Sequence, residues 1–470
     1  MSGEGEGEGR GRGKGKGKVH ILMFPYPAQG HILALLDLTH HLALAGLTIT
    51  ILITPKNLPI LNPLLSSHPP NTIQTLLLPF PPHPNIPAHV ENLRHLSNAG
   101  NYPVINALSK LQPQIIHWFS THPNPPLALI SDFFLGWTHH LAAHLAIPRI
   151  AFYGVSAFLA NVLHHCWRNP DLLNATSLVH FPHLPGTPSF ERDHLPSVFL
   201  RYRESDPESD LVRESFLSNH AAWGSVLNTF RAFEGPHLGR FPRAFAVGPL
   251  GSERAEAQPE RGSEILEWLD AVEEESSVLY VCFGSQKLLK KEQMEALALG
   301  LERSQTRFLW VVKTPSTEDQ LEKGYGLLPE GFEGRVAGRG LVVKGWAPQV
   351  AILSHRAVGG FLSHCGWNSV MEGMLSGVAI VGWPMEADQF VNASLVVEER
   401  GVGVRVCSGA DSVPDPDHLA GTVAEVMTAH SPQKIKANLM REEAIRAVSQ
   451  GGDSSLDLDH LVKALLQLAR

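Results

Sequence analysis

The amino-acid sequence predicts an α/β protein built from two parallel-sheet units that face each other across a cleft. Three observations lead there. The chain opens on a strand, a loop, a helix and a strand. The same alternation restarts after a polar, Gly- and Pro-rich segment at 248–262. The length, 470 residues, suits two or three domains rather than one.

VHILMF (Val19–Phe24) is a short apolar run of strand type. PYPAQGH follows, then ILALLDLTHHLALAG, a helix-length amphipathic stretch stopped by Gly46. LTITILIT (Leu47–Thr54) is β-branched and completes a βαβ unit. Further strands are expected in TIQTLLL (Thr72–Leu78), LALIS (Leu127–Ser131) and RIAFYG (Arg149–Gly154), with helical stretches between them. In the second half SVLYVCFGS (Ser277–Ser285), RFLWVVK, LVVKGW and GGFLSH read as strands, and KKEQMEALALGLERS as a helix. The pattern divides the chain into a tail at 1–18, a first unit at 19–247, a linker at 248–262 and a second unit at 263–445. A closing helix at 446–470 is expected to pack back on the first unit.

Composition bounds the function. With 43% hydrophobic and 18% charged residues the chain is ordinary for a soluble globular protein. A net charge of −8 argues against nucleic acid or an anionic membrane as the main partner. No apolar run is long enough to span a bilayer, so no membrane insertion is expected. The tail MSGEGEGEGRGRGKGKGK lacks the apolar centre of a secretory signal and reads as disordered. The four cysteines, Cys166, Cys282, Cys365 and Cys407, form no CxxC pair. That points away from a disulfide framework or structural zinc and toward a reducing, cytoplasmic setting. GRGRGKG precedes the first strand instead of following it, which disfavours a dinucleotide-dependent dehydrogenase.

In open α/β sheets, ligands bind beyond the carboxyl ends of the strands. Three segments qualify: the loop after VHILMF, the loop after LALIS, and SHCGWNSVMEG (Ser363–Gly373). In the last, a strand runs through SHCGWNS into a helix stopped by Gly377, with Asn368 or Ser369 at the expected N-cap. Such a helix start favours an anion, and Gly366 lets the backbone approach closely. His364, Asn368 and Ser369 add donors. The Ser369–Glu372 spacing also fits a capping box, and one His beside one Cys makes no metal coordination set. His31 follows the first strand and begins a helix, whose positive end is expected to keep the imidazole neutral. Asp132 stands at the carboxyl end of LALIS. If bonded to His31 it fixes the tautomer and stabilises the imidazolium as it forms.

From Trp346 to Gln389 the sequence reads WAPQVAILSHRAVGGFLSHCGWNSVMEGMLSGVAIVGWPMEADQ. This resembles the signature box of plant family 1 UDP-sugar glycosyltransferases. The match covers Trp346, Gln349, His355, Gly359, His364 to Ser369, Glu372, Gly377, Trp383, Pro384, Asp388 and Gln389. Ala379 departs from it, standing where the family usually has Pro. FPYPAQGH, LISDFFLGW, VLYVCFGS and GGDSSLDLDHLV also look like family landmarks, so only the first 18 residues lie outside the resemblance.

The resemblance implies the GT-B fold: two Rossmann-like domains, the N-terminal one binding the acceptor and the C-terminal one most of the donor. It implies that Trp346 stacks on uracil, that the Ala347 backbone meets the uracil edge, and that Gln349 and Glu372 hold the ribose. Ser285, His364, Asn368 and Ser369 would bind the diphosphate; Asp388, Gln389 and the Trp367 backbone would bind the sugar. Fixed donors would stabilise the charge that grows on the leaving diphosphate, so no metal is expected. The two DxD strings, Asp415–Asp417 and Asp457–Asp459, read as caps and surface charge. Catalysis is expected from His31 as general base with Asp132 behind it, in one inverting displacement.

Gln389 at the last box position favours UDP-glucose as co-substrate. Gly154 stands where the family often has Thr or Ser, which leaves UDP-xylose or UDP-rhamnose open. WFSTHPNPPLALISDFFLGWTHHLA resembles a branch acting on flavonols and hydroxybenzoic acids, so a planar phenolic acceptor is expected, with Tyr26, Phe152 and Phe199 along its pocket. Attachment to a ring carbon stays open. A UDP-sugar epimerase or hydrolase would share the layout. A non-catalytic binder would have no use for the His31/Asp132 pair. A monomer is expected.

Overall fold

The computed structural model describes residues 19–251, 262–284 and 287–468. The charged tail at 1–18, most of the expected linker, and Ser285 lie outside the described residues. Strands β1 (His20–Phe24), β2 (Thr48–Ile53), β3 (Ile73–Leu77), β4 (Ala128–Asp132) and β5 (Arg149–Tyr153) follow in chain order. After a small antiparallel pair, β6 (Val179–His180) and β7 (Ser189–Phe190), come β8 (Gly224–Leu227) and β9 (Ala244–Ala246). The second half holds β10 (Val278–Cys282), β11 (Arg307–Val312), β12 (Gly340–Lys344), β13 (Val358–Ser363), β14 (Ala379–Gly382) and β15 (Gly403–Arg405).

The strands make two parallel sheets, ordered β3-β2-β1-β4-β5-β8-β9 and β12-β11-β10-β13-β14-β15. In each, the chain builds outward on one side and then crosses to the other. The order reverses between β1 and β4 in the first sheet and between β10 and β13 in the second. Loops leaving neighbouring strands in opposite directions open a crevice at that point, which is where α/β sheets bind ligands. His31 and Asp132 flank the first crevice; Gly284 and His364 flank the second.

Both faces of the first sheet are covered, so β1, β4 and β5 are buried throughout. Side-chain alternation sends Ala151 and Tyr153 into the core on one face, and Ile150 and Phe152 into the core packed by the helix Gln29–Leu44 on the other. The helix Pro432–Val448 runs past 445, so the expected boundary there falls inside a helix. The helix Asp453–Gln467 then returns to the first sheet, where Leu461 and Leu465 are fully buried. Asp457 sits in the second turn of that helix. Its carboxylate accepts from Arg231 at 2.9 Å and from the Ala246 N–H at 3.0 Å, a docking contact and not the surface charge expected of this DxD string. Asp415 does cap its helix, accepting from the His418 N–H at 2.7 Å, and Asp417 pairs with Arg303. Among the described residues no helix is long and apolar enough to cross a membrane.

Candidate active site

The helix Gln29–Leu44 starts directly beyond β1 and places His31 in its first turn. Nδ1 of His31 lies 2.8 Å from Oδ2 of Asp132, which is fully buried at the end of β4. The other carboxylate oxygen of Asp132 accepts from the Phe134 N–H at 2.9 Å, so the carboxylate is fixed before it meets the imidazole. Aromatic rings hold the imidazole plane. Phe133 stacks on it at 5.9 Å, and Phe134 and Tyr26 meet it edge-on at 5.1 and 5.4 Å. Burial lowers the His31 pKa, but the charge and hydrogen bond of Asp132, with the charge of Asp388, outweigh it and raise it overall. Carboxylates therefore dominate at this imidazole, contrary to the neutralising helix end expected from sequence.

The imidazole opens on a cavity of about 610 Å³ lined by both halves of the chain. Trp346, Ala347, Gln349, His364, Trp367, Asn368, Ser369, Glu372, Asp388 and Gln389 all line it. The helix Trp367–Ser376 begins two to three residues earlier than expected, with Gly366 as N-cap and no side-chain cap. Cys365, at φ 63, makes the turn that allows this. Ser369 therefore lies inside the first turn and makes no capping box. Its hydroxyl accepts from Gln349 Nε2 at 3.2 Å, and the same amide nitrogen donates to Glu372 at 2.7 Å. Gly366 to Ser369, the start of this helix, line the cavity, where its first-turn N–H groups have no intrahelical partner.

His364 is wedged between Gly284 and Gly366. A Cβ at either position would come within 2.8 or 2.6 Å of its Nε2, so only glycine leaves room for the ring. Burial pushes its pKa down to about 4, which makes it a neutral donor at physiological pH. Asn368 Nδ2 reaches across the cavity to the Gly30 carbonyl at 3.2 Å, one residue from His31. The Trp367 indole is buried and donates to the Asn228 carbonyl at 2.9 Å. Trp346 is 52% exposed, as a stacking platform must be. Gln389 Oε1 accepts from the N–H groups of Met385 and Glu386, which leaves its Nε2 to face the cavity.

The three expected acceptor residues do not line the cavity. Phe152 is fully buried in the core packed by the helix Gln29–Leu44, its ring 3.5 Å from where a Cβ on Gly154 would lie. Tyr26 is buried behind His31, its hydroxyl donating to Asn101 Oδ1 at 2.7 Å. Phe199 packs edge-on against Trp167, and its neighbour Val198 lines the cavity instead. The apolar wall is made by Phe133, Phe134, Leu159 and Leu163, with Gly154 at its edge. Phe133 and Phe134 were open to discovery: they directly follow Asp132 at the carboxyl end of a strand. Lys287, also on the wall, had no sequence signal; it donates to the Ala410 carbonyl at 2.9 Å. Among the described residues no group of three His, Cys, Asp or Glu could hold a metal ion.

The profile of the family described as "UDP-glucoronosyl and UDP-glucosyl transferase" matches residues 230–447. UDP-glycosyltransferase 89A2 of Arabidopsis thaliana is 48% identical over 94% of this chain and 95% of its own. Flavonol 3-O-glucosyltransferase UGT89B1 of the same plant is 46% identical over 96% of each chain. Crystal structures of Arabidopsis thaliana UGT89C1, one complexed with UDP-L-rhamnose and one with quercetin, superpose with a TM-score of 0.77 at 35% identity over 96% of this chain. They cover 99% and 100% of those chains. With the GT-B fold, a cavity at two facing switch points and identity of this extent, the chain belongs to the UDP-glycosyltransferase family.

Proposed function

We propose that this enzyme transfers glucose from UDP-glucose to a hydroxyl of a flavonoid or related phenol, with inversion. The observation that carries the reading is the cross-cavity arrangement. A carboxylate-backed His31 and an uncapped helix start line one cavity, linked by the Asn368–Gly30 hydrogen bond. The donor lies on the C-terminal half. Trp346 stacks on uracil, and the Ala347 backbone meets its edge. Gln349 and Glu372 hold the ribose. His364, Asn368 and Ser369 meet the diphosphate, with Ser285 outside the described residues. Asp388, Gln389 and the Trp367 backbone address the sugar. The acceptor lies against the N-terminal half, between the phenylalanines and Leu159.

Asp132 occupies Nδ1 of His31, so Nε2 is the nitrogen that takes the proton from the acceptor hydroxyl. The acceptor oxygen bonds to the anomeric carbon as its bond to the diphosphate breaks, and UDP leaves from the opposite face. The helix start and neutral donors meet the charge that develops on UDP.

Glucose is favoured by Gln389 and by the 46%-identical relative named a glucosyltransferase. The relative crystallised with UDP-L-rhamnose is less similar, at 35%. The quercetin complex of that relative, and the flavonol in the other's name, support the acceptor class. The test is product analysis with UDP-glucose, UDP-xylose and UDP-rhamnose against a phenolic panel. An O-β-glucoside formed fastest from UDP-glucose is expected. Equal hydrolysis of UDP-glucose with and without acceptor would contradict transfer.

A further inference from the structure

Asn392 touches neither the acceptor wall nor the nucleotide end, yet it is fully buried and every polar atom of its side chain is used. It stands four residues after Asp388, within the helix Gln389–Ser394, so the amide lies over the carboxylate. Its Nδ2 donates to Asp388 Oδ2 at 2.6 Å and to the Cys365 carbonyl at 3.0 Å. Its Oδ1 accepts from the Ser156 hydroxyl at 2.8 Å, and Ser156 belongs to the other half of the chain.

These partners fix the amide. Flipped, its oxygen would face a carboxylate and a carbonyl with no donor between them. The Ser156 hydroxyl is oriented too. As N-cap of the helix Ala157–Arg168 it accepts from the Leu159 N–H at 3.1 Å, so its own proton is committed to Asn392. Asp388 is half-buried and also meets the Trp367 backbone N–H, and Asn392 supplies the side-chain donor that orients its Oδ2. A purely structural interface contact needs no such alignment with a cavity-lining carboxylate.

We propose that Asn392 is a positioning residue for the donor sugar, holding the Asp388 carboxylate toward the cavity and making that orientation depend on Ser156 of the opposite domain. Domain contact and sugar recognition are thereby coupled through three side chains. The proposal rests on the reading of Asp388 as a sugar ligand.

The experiment compares binding of UDP with binding of UDP-glucose, alongside kcat and KM, in wild type, Asp388→Ala, Asn392→Ala, Ser156→Ala and Ser156→Thr. UDP has no sugar and reports the integrity of the rest of the site. Asn392→Ala should weaken UDP-glucose about tenfold, as expected for losing a hydrogen bond to a charged group, while UDP binding holds. Ser156→Ala should weaken it less, in the same selective way, and Ser156→Thr should restore it. If Asn392→Ala fails to fold, the Ser156 pair carries the test. Loss of UDP and UDP-glucose affinity in equal proportion, with Asp388→Ala still selective, overturns the positioning role. An Asp388→Ala variant that keeps the wild-type ratio overturns the reading beneath it.

Discussion

Nδ1 of His31 and Oδ2 of Asp132 are 2.8 Å apart although 101 residues separate them in sequence. They meet because β1 and β4 are neighbours at the point where strand order reverses. That geometry determines which nitrogen is free and in which direction the imidazole titrates.

The first prediction concerns pH. His31 must be unprotonated to act as a base, and the carboxylates raise its pKa above the ordinary 6.5. The acid limb of kcat/KM should therefore inflect above 6.5 in wild type. Asp132→Asn removes the main upward cause, so the inflection should move to lower pH while kcat falls by about 10²–10⁴. A pH–rate profile of both proteins checks this; an unmoved inflection contradicts it.

A second prediction concerns stability in acid. His364 and His220 are pushed down to about 4 and His164 to about 3, chiefly by burial, and the last two stack at 3.5 Å. Their folded pKa values lie below the unfolded 6.5, so the unfolded chain binds more protons as pH falls. The stability from keeping them neutral is present above 6.5 and is lost as pH falls from 6.5 to about 4 for His364 and His220, and to about 3 for His164. Tm should drop across that window, and less steeply in His220→Phe. Identical slopes would contradict the assignment.

Gly154 tests donor choice. A Cβ there would meet the Ala34 methyl and the Phe152 ring at 3.5 Å, which is ordinary contact, so Ser fits. Gly154→Ser adds a hydroxyl at the cavity edge and should lower KM for UDP-glucose about two- to tenfold, one hydrogen bond's worth, with UDP affinity unchanged. A KM that stays put places the sugar elsewhere.

Trp346→Ala should weaken UDP by about 1–3 kcal/mol, the value of one stacked base, and leave saturated kcat nearly unchanged. Titration of UDP by calorimetry measures it, and wild-type affinity would remove Trp346 from the site.

Much of this site was legible because it follows strand ends. Every donor-side residue within the described chain lines the cavity, and so does His31, since residues just past parallel strands must face the crevice. What failed was parity and register. β5 is buried on both faces, so no polar alternation marks which way Phe152 points. The helix start shifted because Cys365, a residue with little left-handed preference, takes a positive φ. Asp457 looked like surface charge because its partners, Arg231 and Ala246, lie more than 200 residues upstream. The same distance hid the Ser156–Asn392 contact.

The central claim is that His31 is the base of the transfer. Its most direct test is glucoside formation by His31→Ala at saturating UDP-glucose and phenol, with UDP binding measured on the same sample. The account predicts kcat reduced by at least about 100-fold with UDP affinity intact. Transfer at the wild-type rate would contradict it.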